Sequence, residues 1–401
     1  MDGNSLFVNL NKTPNKKMKK KPKEKIEDKK KRNAGIDLLR ILGMIDIILF
    51  HILQNSMIFT KYAQYKKQLN IFYVFTNWHI SMFGIISGVV GYKTHKYSNL
   101  MHLWIIVVFY SLSIHYGYKK YNQAFSTENK LEQYLFPVIY NNHWYFSSYF
   151  GMYLFLPIIN KGIIYLNKRE FTIIVFIIII IFKLWHDYMA INDDVFRMNS
   201  GRSIISLTIF YIIGAYLGKF IIKDKIKNKF KNIVCCLLYI MLFFFSGYAS
   251  YYYINVYHGT NKYEYFLKKI FNFNINSFGA ICQSICLLLF FSRIKYNKYL
   301  GKIISFIGQL TFAVYIMHDH IDIRFVIYRN MFAKYSNNLS LSSVIKVIIY
   351  KTLQVFTICI IIDCFRYLLF KLLRIKTICI SIEKGIFLIV NKCIKMDYNT
   401  I

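Results

Sequence analysis

The sequence predicts an all-α fold: a polytopic transmembrane helical bundle of about ten spans with its N-terminus in the cytosol. Three observations support this prediction. Hydrophobic residues make up 56% of the 401 residues and charged residues only 18%, which leaves too little polar surface to cover a soluble domain. The hydrophobic residues are also grouped in runs, many of them long enough to cross ~30 Å of hydrocarbon. Finally, the positive charges lie mainly between these runs, on one side of the predicted membrane.

The apolar runs fix the order of the predicted spans. They lie near residues 36–56, 71–92, 102–117, 142–160, 171–186, 203–222, 232–254, 275–292, 303–318 and 344–366. A weaker run at 377–394 is either an eleventh span or a helix lying in the membrane interface. Pro157 falls inside the fourth span, where it is expected to kink the helix.

The chain divides into three parts on the same criteria. Residues 1–33 form a basic tail whose composition predicts disorder, and their polar character argues against a cleavable signal peptide. Residues 34–370 form the transmembrane domain. Residues 371–401 form a basic C-terminal segment with the extra or interfacial helix.

Positive charge gives the orientation. With the N-terminus inside, the inner connections hold 19 lysines or arginines in 53 residues, and the outer connections hold 14 in 100 residues. This asymmetry follows the positive-inside rule. Residues 1–32 agree with it, because they carry 12 lysines or arginines against 4 acidic residues. The net charge of +33 therefore predicts membrane lipid, and not nucleic acid, as the partner of the basic residues.

The eight cysteines predict neither a disulfide framework nor a metal site. All of them lie in or beside apolar segments. Cys282 and Cys286 share a helix face, but no histidine or carboxylate joins them, so packing explains the pair.

The first span contains the most ionisable residues, which are costly in hydrocarbon and so indicate function. Arg40 and His51 are eleven residues apart, which leaves a rotation of ~20° and a rise of ~16 Å, so both side chains share one helix face. An imidazole near the bilayer midplane can act as a general base, and a guanidinium at the cytosolic boundary can bind an anion. The alternative is structural: an interface anchor at Arg40 and an interhelical hydrogen bond at His51. Asp46 lies on a different face, where an ion pair with another helix is expected.

Further polar residues lie toward the outer ends of predicted spans. His318, Asp319 and His320 follow one another at the end of the ninth span. His318 is expected to position an acceptor or to organise the site, although a solvated helix end is an alternative. Asp319 and His320 are expected at the surface.

The remaining outer residues have ordinary explanations. His79 and His143 flank tryptophans, as in the aromatic belts of membrane proteins. Solvated positions are expected for His186, Asp187, Asp193 and Asp194. Arg202 is expected at an outer interface.

Four segments together resemble the acyltransferase type 3 family. They are Gly35-Ile36-Asp37-Leu38-Leu39-Arg40 with His51; Phe83-Gly84-Ile85-Ile86-Ser87-Gly88; His143-Trp144-Tyr145-Phe146 with Tyr149 and Pro157-Ile158-Ile159-Asn160; and Ile307-Gly308 with Thr311-Phe312-Ala313-Val314-Tyr315-Ile316-Met317-His318. The resemblance covers roughly residues 34–370. Members of this family are polytopic membrane enzymes that often O-acylate cell-surface polysaccharides.

The resemblance implies that His51 acts as base on the acceptor hydroxyl and that Arg40 supports donor binding or the catalytic geometry. It also assigns donor binding to the loop after the second span. Many members have paired arginines there, whereas this chain has Lys93, His95 and Lys96. Lysine attracts phosphate but lacks the bidentate fork of arginine.

The hypothesis is therefore a multi-pass plasma-membrane acyltransferase. Acyl-CoA, most simply acetyl-CoA, is the expected donor substrate, and no permanently bound cofactor is expected. The acceptor is expected to be a carbohydrate or a lipid-linked molecule, contacted by His318, Ser87, Trp144 and Tyr145. A transporter or flippase that uses intramembrane His, Arg and Asp is the alternative, as is a non-catalytic scaffold or receptor, but the sequence has no inverted repeat.

Overall fold

The computed structural model describes residues 32–121, 131–185, 194, 196–223, 229–255 and 277–398. These residues contain helices and connections but no β-strand. The helices belong to one compact unit, Asn33–Ile401. The basic tail lies outside the described residues up to residue 31, so its predicted disorder stays a prediction.

Fifteen α-helices occur in this part of the chain. They are α1 (Ala34–Asn55), α2 (Ile58–Lys61), α3 (Lys66–Phe75), α4 (His79–Gly91), α5 (Tyr97–Tyr121), α6 (Leu131–Leu135), α7 (Trp144–Tyr165), α8 (Lys168–Ile179), α9 (Ile204–Tyr216), α10 (Lys229–Asn255), α11 (Phe278–Arg293), α12 (Lys298–His318), α13 (Arg324–Tyr328), α14 (Leu341–Leu372) and α15 (Ile375–Tyr398). Turns of π-helix extend α8 over Ile180–Trp185 and α9 over Leu217–Ile221.

The predicted all-α fold is confirmed, and six helical stretches of the described chain are long and apolar enough to cross a membrane. They are Ala63–Gly91, Tyr97–Tyr121, Ile204–Ile221, Lys229–Tyr252, Lys298–His318 and Leu341–Leu372. The first of these is interrupted at residues 76–78, between α3 and α4, which the sequence did not predict. α11 is apolar but shorter, and α15 does not belong to the six. Helix α7 continues through Pro157.

The start of α1 is fixed against the end of α11. The side-chain oxygen of Asn33 accepts a hydrogen bond from the Gly35 N–H at 2.9 Å, which caps the helix. The Asn33 amide also donates to the carbonyl of Ser292 at 3.0 Å. At Gly35 a Cβ would lie 1.9 Å from the Phe291 carbonyl oxygen, so only glycine permits this approach.

Contacts along α1 define two ends of the bundle. Helix α12 runs parallel to α1, because Gly308 lies against Asp37 and Asp319, just beyond α12, lies 3.4 Å from His51. Helix α4 is antiparallel to α1, since Gly43 meets Met82 while Asp46, further along α1, meets His79 at the start of α4. We call the end where α1 begins the proximal end and the end where Asn55 lies the distal end.

Buried apolar side chains form two clusters, one centred on α4, α7 and α9 and the other on α1, α5, α12 and α14. Phe83 and Tyr145 pack against both clusters. The candidate site lies at this junction, because the same two residues line its cavity.

Helices α4 and α9 approach through two glycines. A Cβ at Gly88 would lie 2.0 Å from the Tyr211 carbonyl oxygen, and one at Gly214 would lie 1.9 Å from that of Ile85. Neither backbone can move without separating the helices. Close approach through small residues is a common way to pack helices in membranes.

We expect Gly88→Ala to destabilise the protein, because overpacking costs roughly 1–3 kcal/mol or more and outweighs the gain of up to ~1 kcal/mol in helix propensity. Gly117→Ala is the matched control, since a Cβ at Gly117 meets nothing within 4 Å. The measurement is the midpoint of heat-induced aggregation in detergent, which should fall for G88A only. Equal midpoints for the two variants would contradict this packing.

Helix α15 is held at the proximal end of α5. The Glu383 carboxylate accepts a hydrogen bond from the Tyr97 N–H at 2.6 Å, and Cys379 is fully buried. Its outward face is apolar and exposed at Ile378, Ile382 and Ile386. Such a face suits a helix lying along the membrane interface, although a spanning position stays an open alternative.

Candidate active site

A cavity of about 460 Å³ lies beside α1. Its wall on this helix is formed by Arg40, Met44, Ile47, His51 and Asn55, whose spacing of three or four residues places them on one face. Fifteen residues of helix separate Arg40 from Asn55, a rise of ~22 Å, so the cavity extends along much of the bundle. The prediction that Arg40 and His51 share one face beside a cavity is therefore confirmed.

His51 lies on this wall with a carboxylate behind it. Its Nδ1 is buried and lies 3.4 Å from Oδ1 of Asp319, while 17% of the side chain remains exposed. Because Nδ1 faces Asp319, Nε2 is the ring nitrogen left toward the cavity. A carboxylate in this position favours the tautomer with the proton on Nδ1 and stabilises the imidazolium that forms when Nε2 accepts a proton.

The same oxygen of Asp319 also accepts a hydrogen bond from Nη1 of Arg324, at 3.1 Å. Asp319 is only 4% exposed, and Arg324 comes from the start of α13, which folds back after α12. Asp319 is therefore held between one histidine and one arginine, both of which line the cavity. A histidine with a carboxylate behind it is an arrangement that can serve as an oriented general base.

The expectation that Asp319 and His320 lie at the surface was wrong, since His320 is only 1% exposed. Both are buried because the chain after α12 packs against α5 and α6. Asp322 contacts His115 Nδ1 at 3.0 Å and accepts a hydrogen bond from the Tyr134 hydroxyl at 3.0 Å. This second network lies outside the cavity wall.

Arg40 is bound to its own helix. Its Nη1 donates to Oδ1 of Asp37 at 2.5 Å, and its side chain is 20% exposed. Asp37 in turn lies against Gly308 of α12. The guanidinium is thus oriented at the proximal end of the cavity, where it places a positive charge on the wall.

Aromatic side chains form the wall opposite α1. Trp144, Tyr145 and Tyr149 of α7 and Tyr315 of α12 line the cavity. The Tyr145 N–H donates to the Tyr315 hydroxyl oxygen at 3.3 Å. The Tyr315 hydroxyl proton is therefore free of this bond and can be donated elsewhere. Tyr315 belongs to the fourth motif segment, but the sequence predicted no role for it.

Comparison with known proteins decides the family. A family model described as an acyltransferase domain matches residues 33–364. The chain belongs to the acyltransferase type 3 family. Neither the curated proteins nor the solved structures give a match to this acyltransferase. Its membrane helices and family membership together make it an integral membrane acyltransferase.

Residues from all four motif segments, which are far apart along the chain, line one cavity in the fold of this acyltransferase. Arg40 and His51, Ser87, Trp144 and Tyr145 all line the cavity. Ser87 donates its hydroxyl hydrogen to the Phe83 carbonyl at 2.9 Å. These placements bring the predicted residues together but leave their individual roles as predictions.

His318 lies beside this wall and not on it. It is fully buried, its ring centroid is 5.3 Å from that of His51, and its Nδ1 bonds to the Val314 carbonyl at 2.6 Å. Because a carbonyl only accepts, Nδ1 carries the proton. His318 therefore packs behind His51, which suits the site-organising role expected for it.

Two other histidines are buried where aromatic-belt positions were expected. His79 is 1% exposed, and its Nδ1 lies 3.1 Å from Oδ2 of Asp46, so Asp46 has a hydrogen-bond partner on another helix. His143, also 1% exposed, packs against Tyr315 with ring centroids 5.7 Å apart. The belt interpretation failed because each histidine starts a helix that faces the bundle interior.

The predicted donor-binding lysines lie in the connection between α4 and α5. Lys93 and Lys96 are exposed at the proximal end, outside the cavity wall. Lys93 and Lys223 each place Nζ 5.9 Å from the ring of Tyr92, so Lys223 adds a charge that the sequence had not singled out. This connection is held by Asn160, whose amide donates to the Gly91 carbonyl at 3.2 Å.

The outer residues of the connection before α9 are only partly described. His186, Asp187 and Asp193 lie outside the described residues. Asp194 is exposed, as expected, and accepts backbone hydrogen bonds from Met198 and Asn199. Across the described residues, no group of three or more His, Cys, Asp or Glu side chains is arranged to hold a metal ion.

Proposed function

We propose that this acyltransferase transfers an acyl group, most simply acetyl, from cytosolic acyl-CoA to a hydroxyl of a cell-surface carbohydrate or lipid-linked acceptor, with His51 as general base. One observation carries the proposal: His51, backed by Asp319, lies on the wall of a cavity that begins at Arg40 and reaches Asn55. A donor entering from one end and an acceptor entering from the other would meet at the imidazole.

The chemistry requires one proton acceptor and one leaving group. Nε2 of His51 takes the hydroxyl proton as the acceptor oxygen attacks the thioester carbon. The tetrahedral intermediate then expels the sulfur of coenzyme A, which receives the proton from the imidazolium. The carboxylate of Asp319 stabilises that imidazolium between the two steps.

The proposed orientation places the proximal end in the cytosol, with the N-terminus inside and ten spans in the plasma membrane. Lys93, Lys96 and Lys223 are exposed at this end, where the phosphates of a cytosolic coenzyme A would arrive. Arg40 lies between them and His51 along the path. The basic inner connections found in the sequence support the same orientation.

Turnover by the purified protein tests the proposal. Full-length protein in lipid nanodiscs is mixed with radiolabelled acetyl-CoA and a panel of oligosaccharides, and both free thiol and labelled acceptor are measured. We expect thiol release that depends on acceptor and matches the label transferred. In a parallel assay, uptake of a radiolabelled oligosaccharide by sealed vesicles that contain the protein, with no thiol release in either assay, would instead support transport and overturn the proposal.

The Tyr315 hydroxyl is a candidate donor to the oxyanion, since it lines the cavity and accepts the Tyr145 N–H. We expect Tyr315→Phe to lower kcat at least tenfold, because a hydrogen bond to a developing oxyanion is charge-assisted and is lost in the transition state. Tyr62→Phe is the control, because it removes one tyrosine hydroxyl hydrogen bond, to the Ser336 carbonyl at 3.0 Å, away from the cavity wall. Equal kcat values for Y315F and wild type would exclude Tyr315 as the donor.

A further inference from the structure

Two arginines lie at the distal mouth of the cavity, at the end opposite Arg40. Arg202 precedes α9, and its backbone carbonyl accepts a hydrogen bond from the hydroxyl of Ser148, in the first turns of α7, at 2.9 Å. Arg324 begins α13 and bonds to Asp319. Both line the cavity, as does Asn55 at the end of α1. Both arginines therefore belong to the wall of one cavity.

The charge on the cavity wall is unbalanced. Among the described residues, those that line the cavity and carry a charge are three arginines and one carboxylate, Asp319. Arg324 shares that carboxylate with His51, and its Nε is buried without a partner. The Arg202 guanidinium forms no ion pair or hydrogen bond within the described chain, and it is exposed at the mouth. Guanidinium groups are donors only, so these two leave a surplus of donors and positive charge.

An aromatic surface accompanies each guanidinium. Arg202 lies 5.7 Å from the centroid of the Trp144 ring, and Arg324 lies 5.2 Å from that of Phe325. Trp144 and Phe325 both line the cavity. An aromatic face can pack against the C–H face of a sugar ring, while the guanidinium beside it binds a carboxylate or phosphate through two parallel hydrogen bonds.

We infer that the acceptor is an anionic carbohydrate, whose carboxylate or phosphate binds at Arg202, with Arg324 nearby, while its hydroxyl reaches His51. This inference rests on the proposed function and names its acceptor class. A neutral sugar would offer Arg202 only hydroxyl and ring oxygens, whereas an acidic one offers a charged acceptor that can take two parallel hydrogen bonds from the guanidinium. The same chemistry would suit the phosphate of an anionic lipid headgroup, which the experiment must separate from a glycan.

The test compares acidic acceptors with neutral ones that have the same sugar hydroxyls. Oligomers of glucuronic acid are compared with their methyl esters, which are neutral and keep the same hydroxyls, and glycerol phosphate oligomers test phosphate as the anion. Full-length protein is assayed in zwitterionic nanodiscs, and kcat/KM is determined for each acceptor with acetyl-CoA as donor. Wild type should prefer at least one acidic acceptor, and Arg202→Gln should lower that preference about tenfold.

Arg197→Gln is the matched control. Arg197 is exposed in the same connection but lies outside the cavity wall. Its replacement by glutamine removes the same positive charge as R202Q does. The acidic preference should survive in R197Q within about twofold. The KM for acetyl-CoA should stay unchanged in both variants, because its phosphates bind at the proximal end.

Several results would overturn the inference. If R202Q and R197Q both keep the acceptor preference of wild type, Arg202 has no part in acceptor recognition. An effect of R202Q that appears only in nanodiscs containing phosphatidylglycerol, and equally for acidic and neutral acceptors, would assign Arg202 to a lipid headgroup. A raised KM for acetyl-CoA in R202Q would assign it to the donor.

Binding without turnover separates this inference from the proposed function. The heat stability of the protein is measured with acidic oligomer alone, with no acetyl-CoA present. Stabilisation of wild type and R197Q but not of R202Q supports the anionic site even if no thioester is consumed, in which case the transferase proposal fails by itself. Turnover on neutral acceptors alone, with no binding of any acidic oligomer, supports the transferase and refutes the anionic site.

Discussion

Replacement of His51 by glutamine is expected to lower kcat by about three orders of magnitude, within the range of roughly 100- to 10,000-fold attributed to general acid–base catalysis. Glutamine fills a similar volume but cannot accept the hydroxyl proton at Nε2. The protein should still insert and fold, since the His51 side chain is partly exposed to the cavity and makes no hydrogen bond that fixes a helix. Donor binding should also persist.

His102→Gln is the matched control for this variant. His102 lies in α5, a membrane-spanning helix, but outside the cavity wall, where its ring packs against Phe370 at 6.1 Å. Its kcat should stay within about twofold of wild type. Both variants should be stabilised against heat by coenzyme A as much as wild type is.

The measurement is single-turnover transfer of labelled acetyl groups, which isolates the chemical step from product release. If H51Q kept more than a tenth of the wild-type rate while still binding coenzyme A, His51 would not be the base. If it lost coenzyme A binding instead, the histidine would belong to donor recognition.

The sequence predicted the helical face that carries the site because that information is local. A separation of eleven residues determines that Arg40 and His51 point the same way, whatever surrounds them. Which side chains oppose that face is not local. Asp319 is far from His51 in the chain, and only the parallel packing of α1 and α12 brings the two together.

The surface position predicted for Asp319 and His320 was wrong because it was based on their place at a helix end. A residue just after a predicted span is ordinarily solvated, so the sequence favoured a surface position. Here α13 folds back over the end of α12, and Asp322 binds His115 and Tyr134 from α5 and α6. The sequence did contain a sign of burial, because four ionisable residues lie close together between Asp319 and Arg324. Buried charges of this kind are stable only when they pair with each other or with residues of neighbouring helices.

The break between α3 and α4 was missed for a different reason. No glycine or proline marks residues 76–78, so the apolar run at 71–92 appeared continuous. The break is stabilised by tertiary contacts: the Trp78 carbonyl accepts a hydrogen bond from the Ser284 hydroxyl of α11 at 2.7 Å. Because of the break, α4 begins at His79, and the imidazole of His79 contacts Asp46 of α1.

Asparagine at position 319 is expected to lower kcat roughly 100-fold, because the amide cannot stabilise the imidazolium that forms on His51. The substitution keeps the volume of the side chain, so the distal end should keep its packing. A loss of this size has two explanations, however. Asp319 either acts through His51, or it merely holds Arg324 and the turn after α12 in place.

A double-mutant cycle separates these explanations, since residues that act as one unit give strongly non-additive effects. If Asp319 acts through His51, adding D319N to H51Q should cost less than about threefold, because the base it supports is already absent. Asp322→Asn supplies the control: it removes a buried carboxylate from the same turn, bound to His115 and not to His51. Its cost should be the same with and without His51. If D319N instead costs about 100-fold in both backgrounds, Asp319 is a structural residue, and the imidazole works without a carboxylate behind it.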